Sequence, residues 1–333
     1  MTLPDATDAG LRYADDARPG ITRRRAGRGV SYRMPDGSPA PPRVRARIAA
    51  LAIPPAWTQV WIAPDARGHL QATGRDAKGR KQYRYHADWQ DHASRLKFDR
   101  MVPFGEALPA LRARVAADLE GRGLTHDRVA ALAVRLLDET LVRIGNAEYA
   151  RTNGTFGLTT LRDRHVRFET GGLTLSFVGK SGKEHALAVA DKRLARLVRA
   201  CRDLPGHDLF QYRTPGGTAT IGSADVNAYL RETTGDPDVS AKSFRTWGGT
   251  VLAAETLAAA EPDADREQAV AGAIRTVSDA LGNTVAVCRR YYVHPDVLDA
   301  YRAGGFAASV AGAAEIAGLS AAEAAVLGLL RAA

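Results

Sequence analysis

The sequence predicts an α+β protein: a small antiparallel β domain first, then a larger, mostly α-helical domain that carries a β-hairpin. Three observations predict it. Short β-prone runs separated by turn clusters fill the stretch from Trp57 to Tyr85. After about residue 92 apolar residues recur at helical spacing, most clearly Val129, Leu132, Leu136, Thr140 and Ile144. Inside that helical region, Leu173–Phe177 and His185–Val189 alternate strictly and flank Gly179-Lys180-Ser181-Gly182, the pattern of a hairpin. The domain boundary is placed between residues 92 and 93, giving domains 1–92 and 93–333.

Taken in order, residues 1 to about 30 are polar, with Arg23-Arg24-Arg25 and several glycines, and read as a flexible arm or an edge segment. Arg43 to Leu51 reads as a short helix, stopped by Pro54-Pro55. Val60-Trp61-Ile62, His69–Thr73 and Gln82–Tyr85 read as strands, with turns at Pro64–Gly68 and Asp76–Arg80. The long amphipathic helix is expected from Arg128 to Ile144, with Gly145 as its stop and Arg143 as a cation closing its last turn. From Ala241 onward the reading is helical, and Ser320-Ala321-Ala322-Glu323 is a capping box opening a last apolar helix.

The 333 residues include 45% apolar and 25% charged side chains, the profile of a soluble globular chain. The net charge of +9 suits a densely anionic partner, nucleic acid before a membrane surface. Arginine outnumbers lysine, and its planar fork is the better phosphate ligand. No apolar run reaches membrane-spanning length, and the N-terminus has no signal-peptide core, so a cytoplasmic protein is expected. Cys201 and Cys288 have no partner at metal-ligand spacing and read as buried free thiols. His165, His185 and His294 are too dispersed for a zinc set and read as structural; no metal site is expected. Gly179-Lys180-Ser181 is not a phosphate loop, because Thr174 stands where the first glycine is needed and a strand follows instead of a helix.

What remains is a set of basic residues and a late tyrosine. Arg143 stands in Val142-Arg143-Ile144-Gly145-Asn146, Lys180 in Phe177-Val178-Gly179-Lys180, and Arg245 in Lys242-Ser243-Phe244-Arg245-Thr246-Trp247. Tyr292 closes the run from Leu281 through Asn283 to Tyr291. A metal-free phosphodiester strand transfer needs such a set: arginines for the phosphate charge, a lysine to protonate the leaving oxygen, and a tyrosine to attack. In this order the segments resemble the type IB DNA topoisomerase family in its short poxviral and bacterial form. Arg143–Asn146 with Tyr149, and the following Gly157–Leu161, look like its first-arginine region. Gly74–Tyr85 resembles its DNA-reading segment.

The resemblance implies the tyrosine recombinase/topoisomerase IB catalytic fold, with Tyr292 as nucleophile and Lys180 as general acid. It implies Arg143, Arg245 and Asn283 as transition-state ligands. Arg80, Gln82, Tyr83, Tyr85, Tyr149 and Lys242 would contact DNA, with the two domains closing around the duplex. It implies double-stranded DNA as the partner, nucleoid association, no cofactor and a monomer. Relaxation of supercoils through a 3′-phosphotyrosyl intermediate, without ATP or metal, is the activity expected. Poxviral members carry His where this chain has Asn283, and Asn donates a hydrogen bond but does not titrate. The spacing from Asn283 selects Tyr292 over Tyr291. Nine residues of unbroken helix would turn through about 900° and set the two ends on opposite faces, so Asn283 is expected to precede the helix, helped by Gly282. Two other readings stay open: a tyrosine recombinase, against which the lack of a helix-first N-terminal domain speaks, and a non-enzymatic DNA-binding protein.

Overall fold

The computed structural model describes residues 6–27, 29–261, 265–304, 306, 310, 312 and 314–332. The chain divides into two compact units, one running up to Asp99 and the other from Arg100.

The first unit is a five-stranded antiparallel sheet in the order β2-β1-β3-β4-β5. Its strands are β1 (Ile21–Ala26), β2 (Gly29–Arg33), β3 (Thr58–Ile62), β4 (Leu70–Arg75) and β5 (Lys81–Tyr85). Helix α1 (Pro42–Ala50) covers the sheet, opening with proline where no backbone donor is needed. Its Ile48 joins Ile21, Val60, Ile62 and Ala72 in the core. The expected arm is therefore corrected. From Ile21 onward it is a strand seated between β2 and β3. The strand carries one buried apolar residue and three arginines, so its composition imitates a tail, and only the pairing reveals it. Arg23 is tied to the carbonyl oxygens of Pro54, at 3.1 Å, and of Trp57. Ahead of it, the Ala14 N–H donates to His69 Nδ1 at 3.0 Å. Residues 1–5 and 28 of that expected arm lie outside the described residues.

Helix α2 (Ala87–Asp99) starts before residue 92 and belongs to this first unit. Its Trp89 packs with Ala6 and Leu11, so the helix closes the β unit.

The second unit is a helical assembly of α3 (Met101–Glu120), α4 (His126–Thr140), α5 (Ala147–Asn153), α6 (Lys192–Arg202), α7 (Ser223–Thr234), α8 (Ala241–Ala258), α9 (Arg266–Leu281), α10 (Val285–Tyr291), α11 (Pro295–Ala303) and α12 (Ala321–Ala332). A three-stranded antiparallel sheet, β6 (Val166–Phe168), β7 (Leu173–Val178) and β8 (Glu184–Val189), contains the predicted hairpin plus one strand not predicted. A second hairpin, β9 (Gln211–Thr214) with β10 (Gly217–Thr220), also escaped the sequence reading, because its short strands mix polar residues on both faces.

Helix α8 is the centre of this unit. It buries Phe244, Arg245, Trp247, Val251, Ala254 and Leu257 and packs against α3, α4, α9, α11 and α12. Trp247 packs against Gly105 of α3, where an added β-carbon would sit 2.4 Å from the indole. Helix α4 ends at Thr140, four residues earlier than predicted. Leu141 takes a left-handed cap with φ 53° and donates its N–H to Leu137 O. Its side chain fills the space over Gly248 of α8, so packing overrides the helical periodicity that ran on to Ile144.

The last helix is bound to the core by Arg112. Its guanidinium reaches Glu323 at 2.7 Å and Asp138 at 2.8 Å, and Trp247 Nε1 donates to Glu323 at 3.1 Å. Burial alone would raise the Glu323 carboxyl, but hydrogen bonds from Arg112, Ser320 and Trp247 hold it below the ordinary glutamate value. A depressed folded value adds stability above about pH 4.3, the free-chain value, and loses it as the pH falls. Arg112→Ala leaves two poorly hydrated carboxylates unpaired and is expected to cost about 3 kcal/mol near pH 7. In urea unfolding, the gap between variant and parent should narrow as the pH drops below about 4.

Candidate active site

Arg245 sits in the first turns of α8 and is 4% exposed. Its guanidinium donates to two backbone carbonyls, Leu141 O just beyond α4 and Leu281 O at the end of α9, the latter at 2.8 Å. Both oxygens are helix C-terminal acceptors without intrahelical partners, so the arginine answers a need of each. Its Cζ stands 5.3 Å from the centre of the Tyr292 ring. Burial, and then the like charge of Arg143, lowers its pKa.

Arg143 lies beyond α4 in an extended segment, not at a helix end as predicted. That segment is held at its backbone: Leu158 N–H donates to Arg143 O at 2.8 Å and Thr159 N–H to Ile144 O at 2.7 Å. The approach requires two glycines. A β-carbon on Gly157 would come within 2.6 Å of Arg143 O, and Gly145 has a φ of 100°. Arg143 Nη2 donates to Asn283 Oδ1. Among the described residues, neither Arg143 nor Arg245 is paired with a carboxylate.

Asn283 lies between helices. Gly282 ends α9 with φ 60°, and Thr284 caps α10 by accepting from Val287 N–H. Tyr292 is the residue after α10, with its N–H donating to Cys288 O at 2.9 Å. Asn283 therefore precedes the helix, and Asn283 and Tyr292 flank α10 rather than sharing one continuous helix. The Asn283 carbonyl accepts from Ser278 Oγ at 3.0 Å. Its Oδ1 is taken by Arg143, while Nδ2 is buried with no hydrogen-bond partner among the described residues. Behind the tyrosine, Thr250 Oγ1 lies 3.3 Å from Tyr292 O, and Gly249 leaves room for that carbonyl.

Lys180 is exposed in the turn between β7 and β8, and its ammonium has no hydrogen bond or ion pair among the described residues. The structure thus gathers Arg143, Asn283, Arg245 and Tyr292, and leaves Lys180 on a turn of its own. Two neighbours of Lys180 link the hairpin to the gathered set. Lys183 Nζ lies 3.5 Å from Asn283 O, and the His185 imidazole packs against Gly282. The sequence reads His185 as structural; its place opposite Gly282 has no sequence signal, since the two are far apart in the chain. Burial first, then the charges of Arg143, Arg245 and Lys183, lowers its imidazole below the ordinary histidine value. His165 and His294 are satisfied as structural groups: His165 Nδ1 accepts from Arg162 N–H at 2.9 Å, and His294 caps α11.

Tyr149 on α5 and Lys242 on α8 are exposed. In the N-terminal unit, Tyr83 and Tyr85 are exposed on one face of β5, with their rings stacked at 5.9 Å. Gln82 points the other way and donates to Asp76 at 3.0 Å, and Arg80 pairs with the same carboxylate at 2.7 Å.

The fold and site define a class: a basic two-unit protein whose helical unit gathers unneutralised guanidinium groups about a tyrosine. Comparison with known proteins narrows it. The family model described as eukaryotic DNA topoisomerase I, catalytic core, matches residues 86–304, and that of the bacterial DNA topoisomerase IB N-terminal domain matches residues 29–76. DNA topoisomerase 1B of Acanthamoeba polyphaga mimivirus is 32% identical, over 77% of this chain and 79% of its own length. DNA topoisomerase I of Monkeypox virus is 22% identical, over 73% of this chain and 75% of its own. Among solved structures, a XerH site-specific recombinase bound to its difH substrate aligns with a TM-score of 0.38 at 16% identity, over 60% of this chain and 52% of the other, too partial to bear on the argument. The chain belongs to the type IB DNA topoisomerase family. It is a DNA-acting isomerase, and among the described residues no helix is long and apolar enough to cross a membrane.

Arg245→Lys tests the two-carbonyl bridge. A lysine ammonium is a point donor and cannot span Leu141 O and Leu281 O while facing Tyr292. The variant is expected to lose at least about a hundredfold in the rate of covalent DNA cleavage, in line with loss of an oxyanion ligand. Single-turnover formation of denaturation-resistant protein–DNA adduct measures it.

Proposed function

We propose that Tyr292 attacks one DNA phosphodiester while Arg143, Arg245 and Asn283 hold its nonbridging oxygens. The observation that carries this reading is the meeting of two guanidinium groups without a carboxylate, beside an unpartnered Asn283 Nδ2 and the Tyr292 ring. A phosphate entering there relieves the repulsion between Arg143 and Arg245 and satisfies the buried amide donor. As the pentavalent transition state gathers charge, these fixed donors stabilise it without reorganising. Asn283 acts by hydrogen bonding alone, since an amide does not titrate.

Lys180 donates a proton to the departing 5′ oxygen, so the Tyr292 oxygen–phosphorus bond forms as the phosphorus–5′ oxygen bond breaks. The products are a 3′-phosphotyrosyl enzyme and a free 5′ hydroxyl. The broken strand rotates about the intact one, torsion of either hand is released, and the 5′ hydroxyl attacks back to expel Tyr292. The ester is exchanged rather than hydrolysed, so ATP is not consumed. Lys180 is exposed on its turn, so DNA binding must draw it inward for this step.

On the same reading Tyr149 and Lys242 contact the DNA backbone, and the stacked Tyr83 and Tyr85 present an aromatic face to the duplex. Arg80 and Gln82 join them by leaving Asp76, with Gln82 reading a base edge. The chain works as a monomer, associated with the nucleoid in the cytoplasm.

Tyr292→Phe is expected to bind duplex DNA with unchanged affinity and to form no denaturation-resistant adduct, while Tyr291→Phe still forms it. Adduct formation by the Tyr292 variant sinks the assignment. The purified chain is expected to relax positively and negatively supercoiled plasmid in EDTA and without ATP, because guanidinium groups meet the phosphate charge. Activity should fall steeply with added salt as phosphate contacts give way to counterions. A strict need for magnesium or ATP, or recombined circles in place of relaxed ones, overturns the reading.

A further inference from the structure

The imidazole of His185 fills a gap between the two segments that flank the reaction. On one side is Gly179, the residue before Lys180; a β-carbon there would lie 2.7 Å from His185 Cδ2 and Nε2. On the other is Gly282, the residue before Asn283; a β-carbon there would lie 2.8 Å from His185 Cε1. Both glycines are therefore needed to admit the ring. Phe177, the cross-strand partner of His185 in the β7–β8 register, stacks on it at 5.0 Å with an interplanar angle of 18°. The ring makes no hydrogen bond among the described residues, so what it supplies is shape. Burial first, and then the charges of Arg143, Arg245 and Lys183, disfavour protonation of the imidazole.

We propose that His185 is a positioning residue: wedged between Gly179 and Gly282, it fixes the lysine-bearing turn of the hairpin against the linker that carries Asn283, and so sets where Lys180 meets the leaving oxygen. The turn closes on itself through Gly179 N–H to Lys183 O at 2.7 Å, and Phe156 N–H to Val178 O at 2.8 Å holds its base, but neither bond reaches the Asn283 linker. Ser181, next to Lys180, is in the left-handed region with φ 64°, and Lys180 itself is exposed. From the linker side, the other tie among the described residues is the 3.5 Å approach of Lys183 Nζ to Asn283 O. An exposed turn held at its base alone can shift relative to the linker. A general acid works only within hydrogen-bond reach of the atom it protonates, so a loss of placement appears as a loss of proton transfer.

This inference rests on the reading of Lys180 as the general acid, and the experiment separates the two. Covalent cleavage is measured in single turnover on a duplex with the ordinary bridging 5′ oxygen and on one with sulfur there, since a thiolate leaves without protonation. His185→Ala is expected to slow cleavage of the oxygen substrate about tenfold or more and to leave the sulfur substrate within about twofold of the parent enzyme, a tenfold loss being the scale of a modest misplacement. Adding His185→Ala to Lys180→Ala should slow the oxygen substrate no further, because the two act through one step. Equal slowing on both substrates, or no slowing on either, overturns the role of His185. If sulfur rescues Lys180→Ala but not His185→Ala, only the inference falls; if it rescues neither, the general-acid reading falls with it. Should His185→Ala fail to fold, as read by circular dichroism, His185→Phe, which keeps a ring on Phe177 but alters the fit between the glycines, is compared on the same two substrates and judged by the same criteria.

Discussion

The site depends on one buried guanidinium. Arg245 reaches from α8 to the carbonyl ends of two other segments, Leu141 after α4 and Leu281 at the close of α9. The first leads within two residues to Arg143, and the second within two residues to Asn283. These two side chains then meet each other. Removing Arg245 would thus leave two helix ends without partners and free the two segments that carry Arg143 and Asn283. A buried charge satisfied by neutral carbonyls keeps its full positive charge for an incoming anion, which one paired with a carboxylate does not.

Around this bridge the backbone is shaped by a few positions where no side chain fits. Gly157 lets the Arg143 segment be held by Leu158 and Thr159, and Gly249 accepts the carbonyl of Tyr292. Gly282 does two things at once: its positive φ ends α9, and its missing side chain admits His185. The left-handed Leu141 carries a strain of about 1–2 kcal/mol, held in place by its packing over Gly248 and by the bond from Arg245. Local strain of this kind persists only where surrounding contacts over-determine it.

The charge of Arg143 and Arg245 is not neutralised by any carboxylate among the described residues. Several arginines elsewhere in the helical unit are paired with carboxylates: Arg112 with Asp138 and Glu323, Arg302 with Glu267 and Asp299, Arg331 with Glu106. Those pairs tie helices together. Arg143 and Arg245 are spent on amide and carbonyl oxygens instead. Their repulsion is tolerated because the fold fixes both, Arg245 through Leu141 O and Leu281 O and Arg143 through Asn283.

The sequence by itself determined the fold class, because alternation and helical spacing are local properties that survive in a single strand or helix. It also marked candidate segments, since Arg143, Lys180, Arg245, Asn283 and Tyr292 each sit in a short recognisable setting, and the fold brings four of them together. Even the break before α10 was legible, as Gly282 permits the turn that a continuous helix forbids. What it did not determine was anything held by partners distant in the chain. The arginine-rich strand β1 reads as a tail until β2 and β3 pair with it. Helix α4 reads as running to Ile144 until Leu141 packs over Gly248. His185 reads as an ordinary strand residue until the fold sets Gly282 against its ring. Tertiary structure alone decided these, because a hydrogen bond or a van der Waals fit between residues a hundred positions apart leaves no periodicity in either stretch of sequence.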